Sequence, residues 1–120
     1  MKNRTLVIGA SENPQRYSYL AIRRLLSHNK EVRAVGLKKG AVDGVTIETG
    51  QPIYQDIDTV TLYVGANNQA PLFDYILRLK PRRVIFNPGT ENPELEDFLK
   101  RNGIATEEAC TLVMLSTGVY

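Results

Sequence analysis

The residues best suited to chemistry in this chain are small, polar and basic, and they gather just after short apolar runs. Gly9-Ala10-Ser11-Glu12-Asn13-Pro14 follows Leu6-Val7-Ile8. It leads through Gln15-Arg16 into Tyr17-Ser18-Tyr19-Leu20-Ala21-Ile22-Arg23-Arg24-Leu25-Leu26. The apolar run reads as a buried strand that breaks at Gly9, and the last segment has helical apolar spacing. A strand, a glycine turn and a helix start together present free backbone N–H groups to an anion, above all a phosphate. Equally, Gly9 serves as a plain tight turn in an α/β protein, and the stretch alone supports both. Three further sets of the same kind follow apolar runs: Gly36-Leu37-Lys38-Lys39, Gly65-Ala66-Asn67 and Asn87-Pro88-Gly89. None of them offers a catalytic dyad. His28 falls at a helix end and Cys110 has no obvious partner, so no nucleophile, base and orienter come together.

The composition bounds the reading. The 120 residues fit one domain, with 42% hydrophobic and 23% charged residues, enough for a packed core. A net charge of +2 is too mild to argue for nucleic acid. One cysteine and one histidine leave neither an intrachain disulfide nor a structural zinc site. There is no apolar run of membrane-spanning length and no signal-peptide core near Met1, so a reduced, cytoplasmic setting is expected.

The elements that must position these residues alternate. Strands are predicted at Thr5–Ile8, Glu31–Val35, Val60–Val64, Arg83–Phe86 and Ile104–Thr106. The first helix starts between Pro14 and Ser18, with Ser18 as a cap, and ends near His28-Asn29, where asparagine takes a left-handed conformation. The next helix follows Asn67-Asn68 as caps, with Pro71 in its first turn, an apolar stripe of Leu72, Phe73, Ile76 and Leu77, and Pro81 as its end. A third is capped by Asn92 with Pro93 behind it, and Gly103 ends it. Between Gly36 and Thr59 no amphipathic helix is found. Gly36, Gly40, Gly44 and Gly50 interrupt it, and Val45-Thr46-Ile47 and Ile53-Tyr54 are at most short extended pieces in a long loop. The apolar tail Cys110–Val119 is a closing helix or a subunit contact. The predicted fold class is α/β, a Rossmann-like open parallel sheet of about five strands with helices on both faces. Such sheets bind ligands beyond the carboxyl ends of their strands, where the strand order switches.

The strand ends select among ligands. A dinucleotide fingerprint wants G-x-G-x-x-G and an acidic residue after the second strand. Here only Gly9 stands in the first turn, and Gly36-Leu37-Lys38-Lys39 holds no Asp or Glu. A basic pair at that position suits a ribose carrying an extra phosphate. NADP, with its 2′-phosphate, and coenzyme A, with its 3′-phosphate, both meet that description. A solvated charged loop is the plain alternative.

Gly9-Ala10-Ser11-Glu12-Asn13-Pro14 with Arg16-Tyr17-Ser18-Tyr19 resembles the opening motif of the small bacterial CoA-binding proteins. Their domain is similar to the amino-terminal domain of the succinyl-CoA synthetase alpha subunit. Lys38-Lys39-Gly40 stands where that family has a lysine. Gly50-Gln51-Pro52-Ile53-Tyr54 resembles its G-x-P-x-Y segment. Tyr63-Val64-Gly65-Ala66 and Asn87-Pro88-Gly89 fall on its third and fourth strand ends, and Glu107-Glu108-Ala109-Cys110 matches its late cysteine. Family members usually carry Asn-Pro before the lysine, where this chain has Gly36-Leu37. Many carry Pro after the cysteine, where it has Thr111. The resemblance implies a Rossmann-like CoA-binding domain over residues 1–120. Gly9, Ala10, Ser11 and Asn13 would line the phosphate turn and Arg16 would reach a phosphate. Lys38 or Lys39 would meet the ribose phosphate, Ala66 and Asn67 would lie along the cofactor, and Asn87, Pro88 and Gly89 would also bind it. The synthetase's phosphohistidine has no counterpart, so its reaction is not implied. The expected function is a stand-alone binding protein for CoA or an acyl-CoA with no evident catalytic site. The alternatives are an NADP-dependent oxidoreductase and a regulatory domain using the same cleft. The expected partner is a small nucleotide cofactor, neither nucleic acid nor membrane, and the apolar tail suggests a symmetric homodimer.

Overall fold

A computed structural model describes residues 4–120. Its strands are β1 (Arg4–Ala10), β2 (Glu31–Gly36), β3 (Gly40–Val42), β4 (Val45–Glu48), β5 (Ile57–Leu62), β6 (Arg83–Phe86) and β7 (Ala105–Glu108). Its helices are α1 (Tyr17–Ser27), α2 (Leu72–Leu79), α3 (Pro93–Arg101) and α4 (Thr111–Thr117). The strands form one sheet in the order β3-β4-β2-β1-β5-β6-β7. Every neighbouring pair is parallel except the edge pair β3–β4. The fold is the expected α/β Rossmann-like one, with two more strands than the sequence suggested.

Those two strands replace the loop expected between Gly36 and Thr59. Val42 pairs with Val45 across Asp43-Gly44, whose φ angles of 46° and 87° are both positive. This is the signature of a two-residue primed hairpin turn, which Asp-Gly favours because glycine and aspartate tolerate the left-handed region. The segment was indeed helix-free, but it returns to the sheet as a hairpin. Ile53-Tyr54 forms no strand. Instead its segment straps α2: Gln51 Nε2 donates to the Pro71 carbonyl at 2.8 Å and the Tyr75 hydroxyl to that of Pro52 at 2.7 Å.

Two apolar layers flank the sheet, as alternation along a buried strand requires. Leu6 and Ile8 of β1 pack with Val60, Leu62, Ile76, Leu95 and Leu99 on the α2–α3 face. Val7, between them in sequence, packs with Ile22, Leu25, Ala34, Ile47 and Leu115 on the α1–α4 face. The tail therefore folds back as α4, burying Met114 and Leu115 and leaving Val113 and Val119 exposed. Leu112 and Tyr120 are half-buried, so part of the apolar surface that suggested a dimer is inside the chain.

Local signals decide several boundaries. Asn29, at φ 61°, is the left-handed residue after α1. The Asn92 side chain accepts from the Glu94 and Leu95 amides, with Pro93 at the first helical position. Elsewhere the expectation shifts. β5 begins at Ile57, three residues early, because Ile57 is itself fully buried. Asn67 and Asn68 do not cap α2; with Ala66 they form a single 3-10 turn, and α2 starts after Pro71. Ser18 lies inside α1, whose cap position is Arg16.

Candidate functional site

The chain passes from β1 to β2 on one side and later to β5 on the other, so the switch in strand order lies between β1 and β5. Gly9 stands there. The strand does not break at this residue but bulges, shifting register between Ile8 and Ala10 against β2. Gly9 has φ +92°, and a Cβ on it would fall 2.8 Å from the Tyr63 carbonyl oxygen. Glycine is therefore required by backbone crowding at the switch point, whether or not a ligand also approaches. Ala10 continues the strand beside Gly36 with its side chain in the core, so only its backbone faces the strand end.

The turn after β1 braces itself. Ser11 Oγ accepts the Asn13 amide at 3.0 Å and Asn13 Oδ1 accepts that of Gln15 at 3.0 Å. The Ser11 hydroxyl proton and the Asn13 side-chain amide remain as donors. α1 then begins with no side-chain cap and no acidic residue in its first turn. The Tyr17 and Ser18 amides have no carbonyl one turn earlier to accept them, so the helix end carries partial positive charge. Arg16 at the cap is exposed, as are Lys38 and Lys39 in the three-residue link from β2 to β3. Among the described residues, none of these three cations has an ion-pair partner. An uncapped helix start with Arg16 at its cap and two further cations in the β2–β3 link, none of them ion-paired among the described residues, can hold a multiply charged anion such as a nucleotide's phosphates.

Sequence reasoning missed Glu12. Its carboxylate crosses from the first turn to the hairpin, where Oε2 accepts the Ala41 amide at 2.8 Å. The acidic group absent after β2 in the sequence is thus supplied from 29 residues away, a distance no local pattern reports. Gln69 was missed too. Fully buried, it donates to the carbonyls of Val64 at 2.8 Å and Thr90 at 2.7 Å and accepts from Asn92 at 3.0 Å, pinning the β5 and β6 ends together.

On the far side of the switch point, Ala66 and Asn67 are exposed on the 3-10 turn after β5. Asn87-Pro88-Gly89 lies beyond β5, at the end of β6. The structure commits the Asn87 side chain elsewhere. It donates to Thr61 Oγ1 at 2.7 Å and the Leu62 carbonyl at 2.9 Å, and accepts the Thr111 amide at 2.9 Å. Pro88 has no N–H, and the Gly89 amide donates to Glu91 Oε1 at 2.9 Å. These three residues offer a wall rather than donors. Cys110, half-buried at the start of α4, neighbours the Tyr63 phenol, whose pKa burial pushes up to about 12. His28 is exposed at the opposite end of α1. No described helix is long and apolar enough to cross a membrane.

Known structures place this arrangement among relatives. The chain is similar to an uncharacterized protein solved by crystallography, at 52% identity and TM-score 0.96, covering 100% of this chain and 99% of that one. It also resembles cell-free ID.343 from Thermus thermophilus, at 20% identity and TM-score 0.86, over 99% of this chain and 91% of that one. A dinucleotide-forming acetyl-coenzyme A synthetase of Ca. Korarchaeum cryptofilum, solved with phosphate and ADP, matches at 17% identity and TM-score 0.73, over 89% of this chain but 25% of that one. At their identities the last two show the fold alone. No curated protein matches the chain. The model of one family, the CoA binding domain, matches residues 3–116. Because that match runs from the strand at the switch point into the last helix, the chain belongs to the CoA binding domain family.

Proposed function

We propose that this chain, as a single unit over residues 1–120, is a stand-alone binding protein for coenzyme A or an acyl-CoA. The observation that carries the reading is the set of unpaired cations Arg16, Lys38 and Lys39 beside the uncapped start of α1, in a chain of the CoA binding domain family. In this reading the pyrophosphate meets Ser11, Asn13, Arg16 and the first amides of α1. The ribose 3′-phosphate meets Lys38 or Lys39. Ala66 and Asn67 lie along the ligand, and Pro88 and Gly89 bound its far side. Asn87 has no part in it. The residues present fit the ligand's charges, and no catalytic role is assigned to any of them.

The test uses three ligands. Dephospho-CoA lacks only the 3′-phosphate. A charge-assisted hydrogen bond to that phosphate contributes about 1.5–3 kcal/mol, so its loss should weaken binding roughly ten- to hundredfold. Lys38→Glu with Lys39→Glu should weaken CoA at least as much, spare dephospho-CoA and abolish the preference. Calorimetric titration of both proteins with CoA, dephospho-CoA and NADP reads this directly, and a native mass spectrum reports any CoA that co-purifies. Equal affinity of the wild type for CoA and dephospho-CoA removes the lysine assignment. Tighter binding of NADP than of CoA replaces the reading with an oxidoreductase, and failure to bind any nucleotide replaces it with a regulatory or scaffold domain that has lost its ligand.

A further inference from the structure

Glu12 sits where neither half of the candidate site alone would put it. It belongs to the turn after β1, yet its Oε2 accepts the Ala41 amide of β3 at 2.8 Å. Its side chain lies over Gly40, where a Cβ would fall 2.3 Å from Glu12 Cδ and 2.6 Å from its Cγ. Gly40 has no left-handed φ, so it is glycine for space rather than for conformation. The lysine link 37–39 is consequently held from both ends. β2 precedes it, paired with β1, and the strand after it is tied to the turn that follows β1. Among the described residues the carboxylate forms no ion pair with Lys38 or Lys39.

We propose that Glu12 is a positioning residue that also sets the site's preference among nucleotides. Its bond to Ala41 fixes the lysine link against the phosphate turn before ligand arrives, which lowers the ordering cost of binding. Its negative charge, held two residues beyond the lysines at Ala41, opposes a second anion there and moderates the preference for a phosphate over bare ribose hydroxyls. The inference rests on the CoA reading above.

Two substitutions separate the bond from the charge. Glu12→Gln keeps an oxygen for the Ala41 amide and removes the charge, whereas Glu12→Ala removes both. CoA and dephospho-CoA are titrated into the wild type and each variant. Glu12→Gln should raise the preference for CoA over dephospho-CoA about threefold or more. Glu12→Ala should bind CoA about threefold or more weakly than Glu12→Gln does while binding dephospho-CoA alike, as a loosened lysine link requires when only the 3′-phosphate meets it. A purely structural Glu12 would lower the melting temperature of Glu12→Ala and leave the preference of Glu12→Gln at the wild-type value. An unchanged preference in Glu12→Gln overturns the proposal, and so does equal affinity of the two variants for both ligands. A wild type that binds neither ligand refutes the CoA reading instead.

Discussion

Replacing Asn87 by alanine should cost the protein stability rather than ligand. Asn87 is 2% exposed, and its side chain makes three hydrogen bonds that join β5, β6 and the start of α4. Alanine strands the Thr111 amide and takes a donor from the Leu62 carbonyl, while Thr61 keeps the Thr111 hydroxyl at 2.7 Å. Each buried group left without its partner costs about 1–3 kcal/mol, giving a loss of roughly 2–5 kcal/mol from a total of about 5–15 kcal/mol. For a chain of this length each kcal/mol moves the midpoint by about 3–6 °C, so Tm should fall by roughly 6–30 °C. Urea denaturation followed by circular dichroism measures the loss. CoA titration well below the variant's midpoint measures affinity, which should stay within about threefold. A stability loss below about 1 kcal/mol refutes the accounting. A tenfold affinity loss at unchanged stability would return Asn87 to the ligand site.

Two other outcomes follow from the same contacts. Cys110 occupies the cap position of α4 in an extended conformation with no side-chain cap bond. Cys110→Ser supplies a good cap and should raise stability by up to about 1 kcal/mol, with CoA affinity within about threefold of wild type; a larger affinity loss in titration would place the thiol at the ligand. Partial burial, with Oε2 shut away from any hydrogen-bond partner, and then the neighbouring Glu108 carboxylate hold the Glu96 pKa above the usual carboxylate range. The fold therefore favours protonated Glu96, a contribution complete below the ordinary carboxylate pKa and lost as pH rises through the raised value. Glu96→Gln should be more stable than wild type at neutral pH, with the gap closing in acid; denaturation curves that coincide at neutral pH would contradict this.

Legibility in the sequence tracked how local each signal was. The strand Arg83–Phe86, the Asn92 cap and the left-handed Asn29 depend on a few adjacent residues and came out as read. The hairpin was also local, since Asp43-Gly44 between Val42 and Val45 is a strong turn signal. It was passed over because the glycines were weighed only as helix breakers. The site divides in the same way. Gly9 and the lysine pair stand at strand ends that the apolar pattern locates, and Arg16 at the helix start that follows the first of them. The Glu12 tie to Ala41, the Gln69 pin and the Asn87 lock join residues 21 to 29 apart in sequence. Polar side chains of this kind look alike in sequence whether they meet solvent, a ligand or a distant amide. Asn87 therefore reads as a ligand contact although its side chain is spent inside the fold, and Glu12 gives no local sign of its tie to Ala41.

Returning to the sheet as a hairpin puts the β2–β4 crossover at the rim of the fold. β3 has three residues and pairs on one side only, and Ala41, Thr46 and Glu48 lie exposed on the face of the hairpin away from α1. Short edge strands with one wet face open most readily, so amide hydrogen exchange should be fastest here and slowest in β1 and β5. The lysines lie in the link that leads directly into this strand. The Glu12 tie is what holds that edge to the centre of the fold, so an anion taken by the lysines should register as slower exchange in β3 and β4 before the centre of the sheet responds.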